Sequence, residues 1–427
     1  MFVAGILSLF IKLLGLLKES LIAYFFGVSP YVDFYVLALV FVTFFVGPIG
    51  GALATLLTQK YIEIRESVSQ DAAALIYAQC QIFGLVCITI VIALELGALR
   101  IPAFQYWFGN KFADLETTYL LILFPIALLF LLSVINASVL TARQNFKAYT
   151  TLPALVPVSI IITLLIWPKE SLFAGLLLGT VIGYSAEFLA GLICLKDVLR
   201  LFTYRVIKRP HAAFLKITQS MRPMFISGVI MSGCMIVDQF MAVLAGDGAV
   251  AMINYGNRIT LGLISVIAIF WTVLYPNFVK MAAATDFPAL RATFWRFSML
   301  GIIGLVPLCG LLAYFSKDLI MLLFERGAFT QNDTAIVAKI QSLYLMHIPC
   351  YALCMMCMRA VNAMENTNLL LIGNSVSLIL NIGLNFYFIQ SYGVLGVAMA
   401  TLIAYCVSSL FWFAAANSLI IARSRRQ

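Results

Sequence analysis

Phe173-Ala-Gly175-Leu-Leu-Leu-Gly179-Thr180-Val-Ile-Gly183-Tyr184 and Val394-Leu-Gly396-Val397-Ala-Met-Ala400-Thr401-Leu-Ile-Ala404-Tyr405 are one pattern written twice, 221 residues apart. Gly175 pairs with Gly396, Thr180 with Thr401 and Tyr184 with Tyr405. Beyond the stretch, Ala142 pairs with Ala363 and Asn145 with Asn366 at the same offset, and Lys60 pairs with Lys280 one residue short of it. Each copy lies in an apolar run long enough to cross ~30 Å of hydrocarbon as a helix. Six such runs separate the copies. An even number preserves direction, so the two halves have the same topology, a parallel repeat of the kind that builds two lobes around a midplane site.

Working outward, apolar runs recur along the whole chain. Hydrophobic residues make up 63% of the 427 positions and charged residues 11%, where a soluble domain carries about 25% charge. The fold class is all-α: a polytopic membrane protein of about twelve transmembrane helices in two six-helix lobes. The expected spans are 3–26, 32–58, 74–99, 118–142, 152–167, 171–195, 222–245, 252–279, 297–316, 337–362, 369–390 and 394–421. The opening run lacks a basic start and a small-residue cleavage site, and is read as a retained span. The expected organisation is a first lobe at 1–195, a basic cytoplasmic linker at 196–220 and a second lobe at 221–427.

Loops on one side hold eighteen lysines and arginines, those on the other side six. The positive-inside bias therefore places both termini in the cytoplasm. The net charge of +9 is explained by loops facing anionic headgroups, with membrane lipids and no nucleic acid as partners. Cys350, Cys354 and Cys357 share a helix face, but no histidine stands at ligand spacing, so they read as small packing residues. His211 and His347 have no partner motif.

Charges inside spans are costly and face a cavity or a partner. The first span holds Lys12, Lys18 and Glu19, the second opens near Asp33, and the eighth holds Arg258; Glu95, Glu187 and Asp238 are further intramembrane acids. Lys18 lies about 9 Å beyond Lys12 along a helix rising 1.5 Å per residue. One reading is internal salt bridges, Lys18 with Asp33 and Lys12 with Glu19. The other is an anion-binding set of Lys12, Lys18 and Arg258 for a phosphate-bearing substrate, lysine as point charge and arginine as directional fork. Gly47-Pro48-Ile-Gly-Gly51 interrupts the second span, as a packing kink or a hinge. Gly175, Gly179 and Gly183 recur every fourth residue and let a neighbouring helix come close. Thr330 and Asp333 have capping-box spacing at a helix start.

Four stretches carry a resemblance: Leu14-Gly15-Leu-Leu-Lys18-Glu19 with Phe26-Gly27 and Asp33-Phe34; Val237-Asp238; Asn254-Tyr255-Gly-Asn257-Arg258 leading to Leu274-Tyr-Pro276; and Leu323-Phe-Glu-Arg-Gly-Ala-Phe-Thr330. Together they make the chain similar to the MurJ/MviN family of lipid II flippases, within the multidrug/oligosaccharidyl-lipid/polysaccharide exporter superfamily. The resemblance implies a transporter, not an enzyme, of the bacterial inner (plasma) membrane. It would move an undecaprenyl-pyrophosphate-linked glycan to the outer leaflet by alternating access, acting as a monomer. It implies substrate contacts at Lys12, Lys18, Arg258, Asp33 and Glu19. No cofactor is expected beyond a sodium ion, for which some members of the family have a site; the matching positions here are Asp238, Asn381, Asn385 and Thr401 with the Val397 carbonyl. Asn385 replaces an expected carboxylate there, so an interhelical polar network is the alternative.

The chain departs from the family at Val46, where a second-span arginine is usual, and at Asn257, where aspartate is common. Members also often carry two further C-terminal spans. The leading cargo is lipid II, with an exopolysaccharide or O-antigen unit precursor as the alternative. A cation or drug antiporter on the same scaffold would need an acidic cavity, to which Glu19, Asp33 and Glu95 would contribute. A membrane-embedded glycan transferase would need a larger, acid-bearing outer loop than this sequence offers.

Overall fold

The structure is a computed structural model, describing residues 2–98, 117–199, 211–364 and 366–425. The loop cations Arg100, Lys111, Arg200, Arg205, Lys208, Arg209 and Arg426 lie outside the described residues. The helices are α1 (Phe2–Phe26), α2 (Pro30–Thr43), α3 (Val46–Ser67), α4 (Gln70–Ala98), α5 (Thr117–Ala142), α6 (Phe146–Thr151), α7 (Leu155–Ile166), α8 (Leu172–Cys194) and α9 (Lys196–Leu199). They continue as α10 (Ala212–Leu244), α11 (Ala249–Gly256), α12 (Arg258–Ala283), α13 (Phe287–Tyr314), α14 (Ser316–Phe324), α15 (Gln331–Ala363), α16 (Thr367–Tyr392) and α17 (Val394–Ser424).

Among the described residues, eight helical stretches are long and apolar enough to cross a membrane, and two bent pairs raise this to ten. The other two expected spans fall on α1 and α10, helices of 25 and 33 residues. In α1, Lys12, Lys18 and Glu19 fall together in any stretch of spanning length. Apolar side chains on the outside mark the surfaces that face lipid. Ile166 is 74% exposed on α7, Ile303 67% on α13 and Ile379 70% on α16, where a soluble protein keeps such patches small.

Helix starts follow local capping chemistry more than hydropathy. Asp286 accepts a hydrogen bond from Ala289 N (3.0 Å) and starts α13, so Arg291 and Arg296, expected in a loop, are helical. Thr330 and Asp333 form the expected capping box: Thr330 N donates to Asp333 Oδ2 (2.8 Å) and Asp333 N to Thr330 Oγ1 (3.3 Å). Helix α15 therefore begins at Gln331, ahead of the apolar run. The repeat is visible in the caps as well. Asn145 caps α6 by accepting from Ala148 N, and Asn366 caps α16 by accepting from Leu369 N.

The second expected span is broken in two, with α2 and α3 meeting at a bend of 44°. The break falls at Phe44-Phe45, and Pro48 is the third residue of α3. A first-turn residue has no intrahelical acceptor for its N–H, so proline sits there without losing a bond. Helices α11 and α12 meet at 42° around Asn257.

The chain divides into two compact units: Met1–Ile22 with Phe34–Ser232, and Ala23–Asp33 with Gly233–Gln427. The division falls inside α10, a continuous helix from Ala212 to Leu244. In the first unit α8 packs on α7 and α5, and α3 on α4 and α5. Its glycines make this possible. A Cβ at Gly183 would stand 2.7 Å from Val156 Cα, and one at Gly175 2.6 Å from the Trp167 ring. In the second unit α15 is central, touching α11, α12, α13, α14 and α17, with Trp271, Phe294, Ile348 and Trp412 among its buried core residues.

Candidate functional site

In the first unit, α1 brings its charges to the inside of a helical bundle. A cavity of about 800 Å³ is lined by Lys18 and Gly15 from α1, Thr55, Thr58 and Gln59 from α3, Ser133 and Thr141 from α5, and Tyr184 and Glu187 from α8. A smaller one of about 310 Å³ is lined by Lys12, Asn136, Tyr149, Thr150, Pro153 and Glu187. Glu187, Ser133 and Tyr149 line both.

Lys18 Nζ lies 2.7 Å from Glu19 Oε1, with Glu19 only 3% exposed. Glu19 therefore pairs with its chain neighbour rather than with Lys12, one of the sequence expectations, and lines neither cavity. Neighbours in sequence point in different directions on a helix, so the pair depends on the reach of two long side chains. Lys12 and Glu187 make no hydrogen bond or ion pair among the described residues. Glu95 is buried on α4 and lines neither cavity.

In the second unit, Asp33 has a different role from the expected one. Its Oδ2 accepts from Gly248 N (2.6 Å) and its Oδ1 from Ala251 N (2.8 Å), and it is 1% exposed. It thus caps the start of α11, where backbone N–H groups and the helix dipole favour a carboxylate. The same region gathers most of the resemblance motifs. Gly27 ends α1 in the left-handed region (φ +56°), and a Cβ there would collide with the Ala328 carbonyl. Gly327 (φ +63°) lies against Tyr24, and Ala328 N donates to Tyr24 O (2.8 Å). Tyr255 OH donates to Gly27 O (3.2 Å), and its ring meets Phe324 and Phe329 at centroid distances of 5.1 and 5.6 Å. Glu325 accepts from Thr334 Oγ1 (2.6 Å). The Glu-Arg-Gly-Ala-Phe-Thr run is therefore a clasp on the 23–33 segment, which explains why that segment belongs to the second unit. Arg258 opens α12, and its Nη2 donates to Asn254 Oδ1 (2.9 Å). Val46, at the place of the family's arginine, is buried at the start of α3.

The expected sodium ligands do come together. Asp238 Oδ1 accepts from Asn381 Nδ2 (3.1 Å) and Asn385 Nδ2 (2.9 Å). Thr401 Oγ1 lies 2.9 Å from Asp238 Oδ2 and 3.0 Å from the Val397 carbonyl, and its one proton serves one of the two. Asn385 Oδ1 is buried without a hydrogen-bond partner among the described residues. Hard oxygen donors with one formal negative charge suit a small monovalent cation, and an orphaned amide oxygen is what such an ion would satisfy. Turning the two amides end for end, a change that preserves their shape, would present their oxygens to it. The residues present fit the ion.

Sequence reading missed Tyr149, Tyr184 and Gln59 as cavity residues, since which polar residue faces a cavity depends on the neighbouring helix. His347 stacks on Tyr405 (4.9 Å between centroids) and meets Tyr344 edge-on. Cys350 and Cys406 Sγ lie 3.5 Å apart, and Cys354 and Cys357 are buried nearby on α15. No metal-holding group of histidine, cysteine or acidic residues exists among the described residues.

Eight to ten candidate spans among the described residues, intramembrane charges facing cavities and a repeated sequence pattern fit a polytopic transporter of the multidrug/oligosaccharidyl-lipid/polysaccharide type. The fold is shared with an inward-facing multidrug-resistance MATE family transporter of the MOP superfamily at TM-score 0.81 and 16% identity, covering 98% of this chain and 99% of that one. It is shared as well with a lipid II flippase MurJ in an inward closed conformation, at TM-score 0.78 and 24% identity, over 99% of this chain and 90% of the other. A probable lipid II flippase MurJ of Synechocystis is 26% identical over 427 aligned positions, covering 93% of this chain and 77% of the relative.

The family model for lipid II flippase MurJ matches residues 22–425. The chain belongs to the MurJ family of lipid II flippases: it is a multi-pass membrane transporter, not an enzyme.

Proposed function

We propose that this protein carries lipid II, an undecaprenyl-pyrophosphate-linked saccharide, from the cytoplasmic to the outer leaflet by alternating access. Both termini are cytoplasmic on this reading, as the lysine and arginine bias of the loops requires. The two six-helix halves act as its lobes, and the protein works as a monomer. The observation that carries the reading is Lys12. It stands mid-helix in an apolar bundle, lines a cavity and makes no ion pair among the described residues. A cation so placed is costly unless something anionic visits it. Lys18 contributes further positive charge within the first unit and Arg258 is a further proposed substrate contact in the second, while Glu19 fixes Lys18 and Asp33 holds α11.

A drug-antiporter reading is weaker because two of the acids it needs are already engaged, Glu19 by Lys18 and Asp33 by backbone N–H groups. A sodium ion at Asp238, Asn381, Asn385, Thr401 and the Val397 carbonyl would supply coupling energy when bound.

The test is translocation of lipid II in proteoliposomes together with rescue of cells depleted of their own lipid II flippase. Lys12→Ala, Lys18→Ala and Arg258→Ala are each expected to abolish transport while the protein still reaches the membrane. Normal transport by all three would overturn the charge reading.

A further inference from the structure

Glu187 is the acid that the reading above leaves without a task. It lies on α8, two turns of helix beyond Thr180, and lines both the cavity with Lys18 and the one with Lys12. It makes no hydrogen bond or ion pair among the described residues. A carboxylate inside a membrane bundle is expected to find a cation or several donors. Here Lys12 lines the same small cavity, yet the two charges do not touch. Opposite charges facing one space without meeting leave room for a ligand that meets both.

The chemistry around Glu187 says which ligand. The larger cavity, at about 800 Å³, falls within the roughly 300–1,000 Å³ range of small-molecule sites. Thr55, Thr58, Gln59 and Ser133 line it, and Tyr184 adds an aromatic residue. Hydrogen-bonding edges beside an aromatic ring match a sugar, which has hydroxyl edges and C–H faces. A free diphosphate offers only acceptors and negative charge, which Glu187 would repel. A diphosphate already joined to a sugar offers O–H and N–H donors at that point.

We propose that Glu187 is a specificity residue, accepting hydrogen bonds from the hydroxyl and acetamido N–H groups of the sugar next to the diphosphate and excluding the bare diphosphate lipid. This rests on the flippase reading. It adds a consequence: the carrier that has delivered its glycan is rejected for return, because discrimination comes from the repulsion as well as the new bonds.

The experiment uses the full-length protein in nanodiscs and two probes, farnesyl diphosphate and farnesyl-diphosphoryl-N-acetylglucosamine. Wild type binds the glycan-bearing probe more tightly. Glu187→Gln, which keeps size and removes charge, weakens binding of that probe about tenfold or more, the usual loss when hydrogen bonds to a charged group go. The same variant binds farnesyl diphosphate more tightly than wild type does. A merely structural role would lower both affinities together, and that result, or no change in either, overturns the proposal. Glu187→Asp retains the charge and continues to reject farnesyl diphosphate; if it bound that probe as Glu187→Gln does, the repulsion would be refuted. A wild type that bound neither probe would sink the flippase reading itself, a result distinct from the others.

Discussion

Thr180 and Thr401 stand 221 residues apart on α8 and α17, and each lies within hydrogen-bond distance of the carbonyl four residues earlier in its own helix. What else each hydroxyl meets is different. Thr180 Oγ1 lies 3.0 Å from the Tyr35 hydroxyl, a neutral pair. Thr401 Oγ1 meets a carboxylate, Asp238, which also takes the amides of Asn381 and Asn385. The helices around them differ in the same sense. Gly179 and Gly183 bring α7 close against α8, whereas the matching positions on α17 are Ala400 and Ala404. The two stretches thus share a frame and differ in its filling. One is a tight helix pair flanking a cavity, the other a charged network with one orphaned oxygen.

The comparison breaks most readily at Asp238. Asp238→Ala leaves the buried Asn381 amide without its acceptor, at about 1–3 kcal/mol, and takes one partner each from Asn385 and Thr401, which keep the Asn381 and Val397 carbonyls. The equivalent cut in the first copy, Tyr35→Phe, removes the neutral bond to Thr180, worth about 1 kcal/mol. Thermal unfolding of the purified protein in detergent should therefore drop far more for Asp238→Ala, and added sodium should stabilise wild type but not this variant. Equal losses from the two substitutions would remove the contrast.

Helix packing gives a middle-sized effect. Gly183→Ala drives a methyl group into Val156 backbone and should cost about 1–3 kcal/mol, as overpacking does. The mirror change, Ala404→Gly, should cost only about 1 kcal/mol, the helix-propensity difference. The two melting temperatures, measured side by side, check this asymmetry between the copies.

The smallest effect sharpens the comparison from outside the membrane. Arg143 follows α5, and its guanidinium grips Asp197 through Nη1–Oδ1 (3.1 Å) and Nη2–Oδ2 (2.5 Å). That grip holds the Asp197 carboxyl below its ordinary range. A carboxylate depressed in the folded state stabilises fully above its unfolded pKa, and the contribution is lost as pH falls through the folded value. Because both partners are partly exposed, Asp197→Asn should cost under about 1 kcal/mol near neutrality. The variant should match wild type in acid, which a pair of melting curves at the two pH values will show.

How much of this was legible beforehand varies by residue. The membrane class, the repeat, the Thr330–Asp333 box and the close approach at Gly183 were readable, since periodicity, capping and residue size act within one helix or its immediate neighbour. The Asp238 set was assembled by resemblance, and the structure brings those residues within hydrogen-bond distance. The capping role of Asp33 is not legible: an acid near the start of a span looks the same in sequence whether it faces a substrate or the backbone of a helix more than 200 residues away. Helical spacing offers a Lys12–Glu19 pair as one of two readings and ignores the reach of the neighbouring Lys18 side chain, which takes Glu19 instead. Arg291 and Arg296 were placed in a loop because hydropathy marks where lipid begins, not where a helix does.

The sequence by itself determined that this chain spans a membrane as repeated helical halves, because burying a polar backbone in hydrocarbon admits few alternatives and apolar length is written residue by residue. It also located nearly every charge that matters. Only the tertiary structure decided what each charge does: Asp33 caps a helix, Glu19 pins Lys18, and Lys12 and Glu187 face one cavity. The reason is that a charge's role is set by the few ångströms around it, and those neighbours arrive from distant helices whose packing no local pattern records.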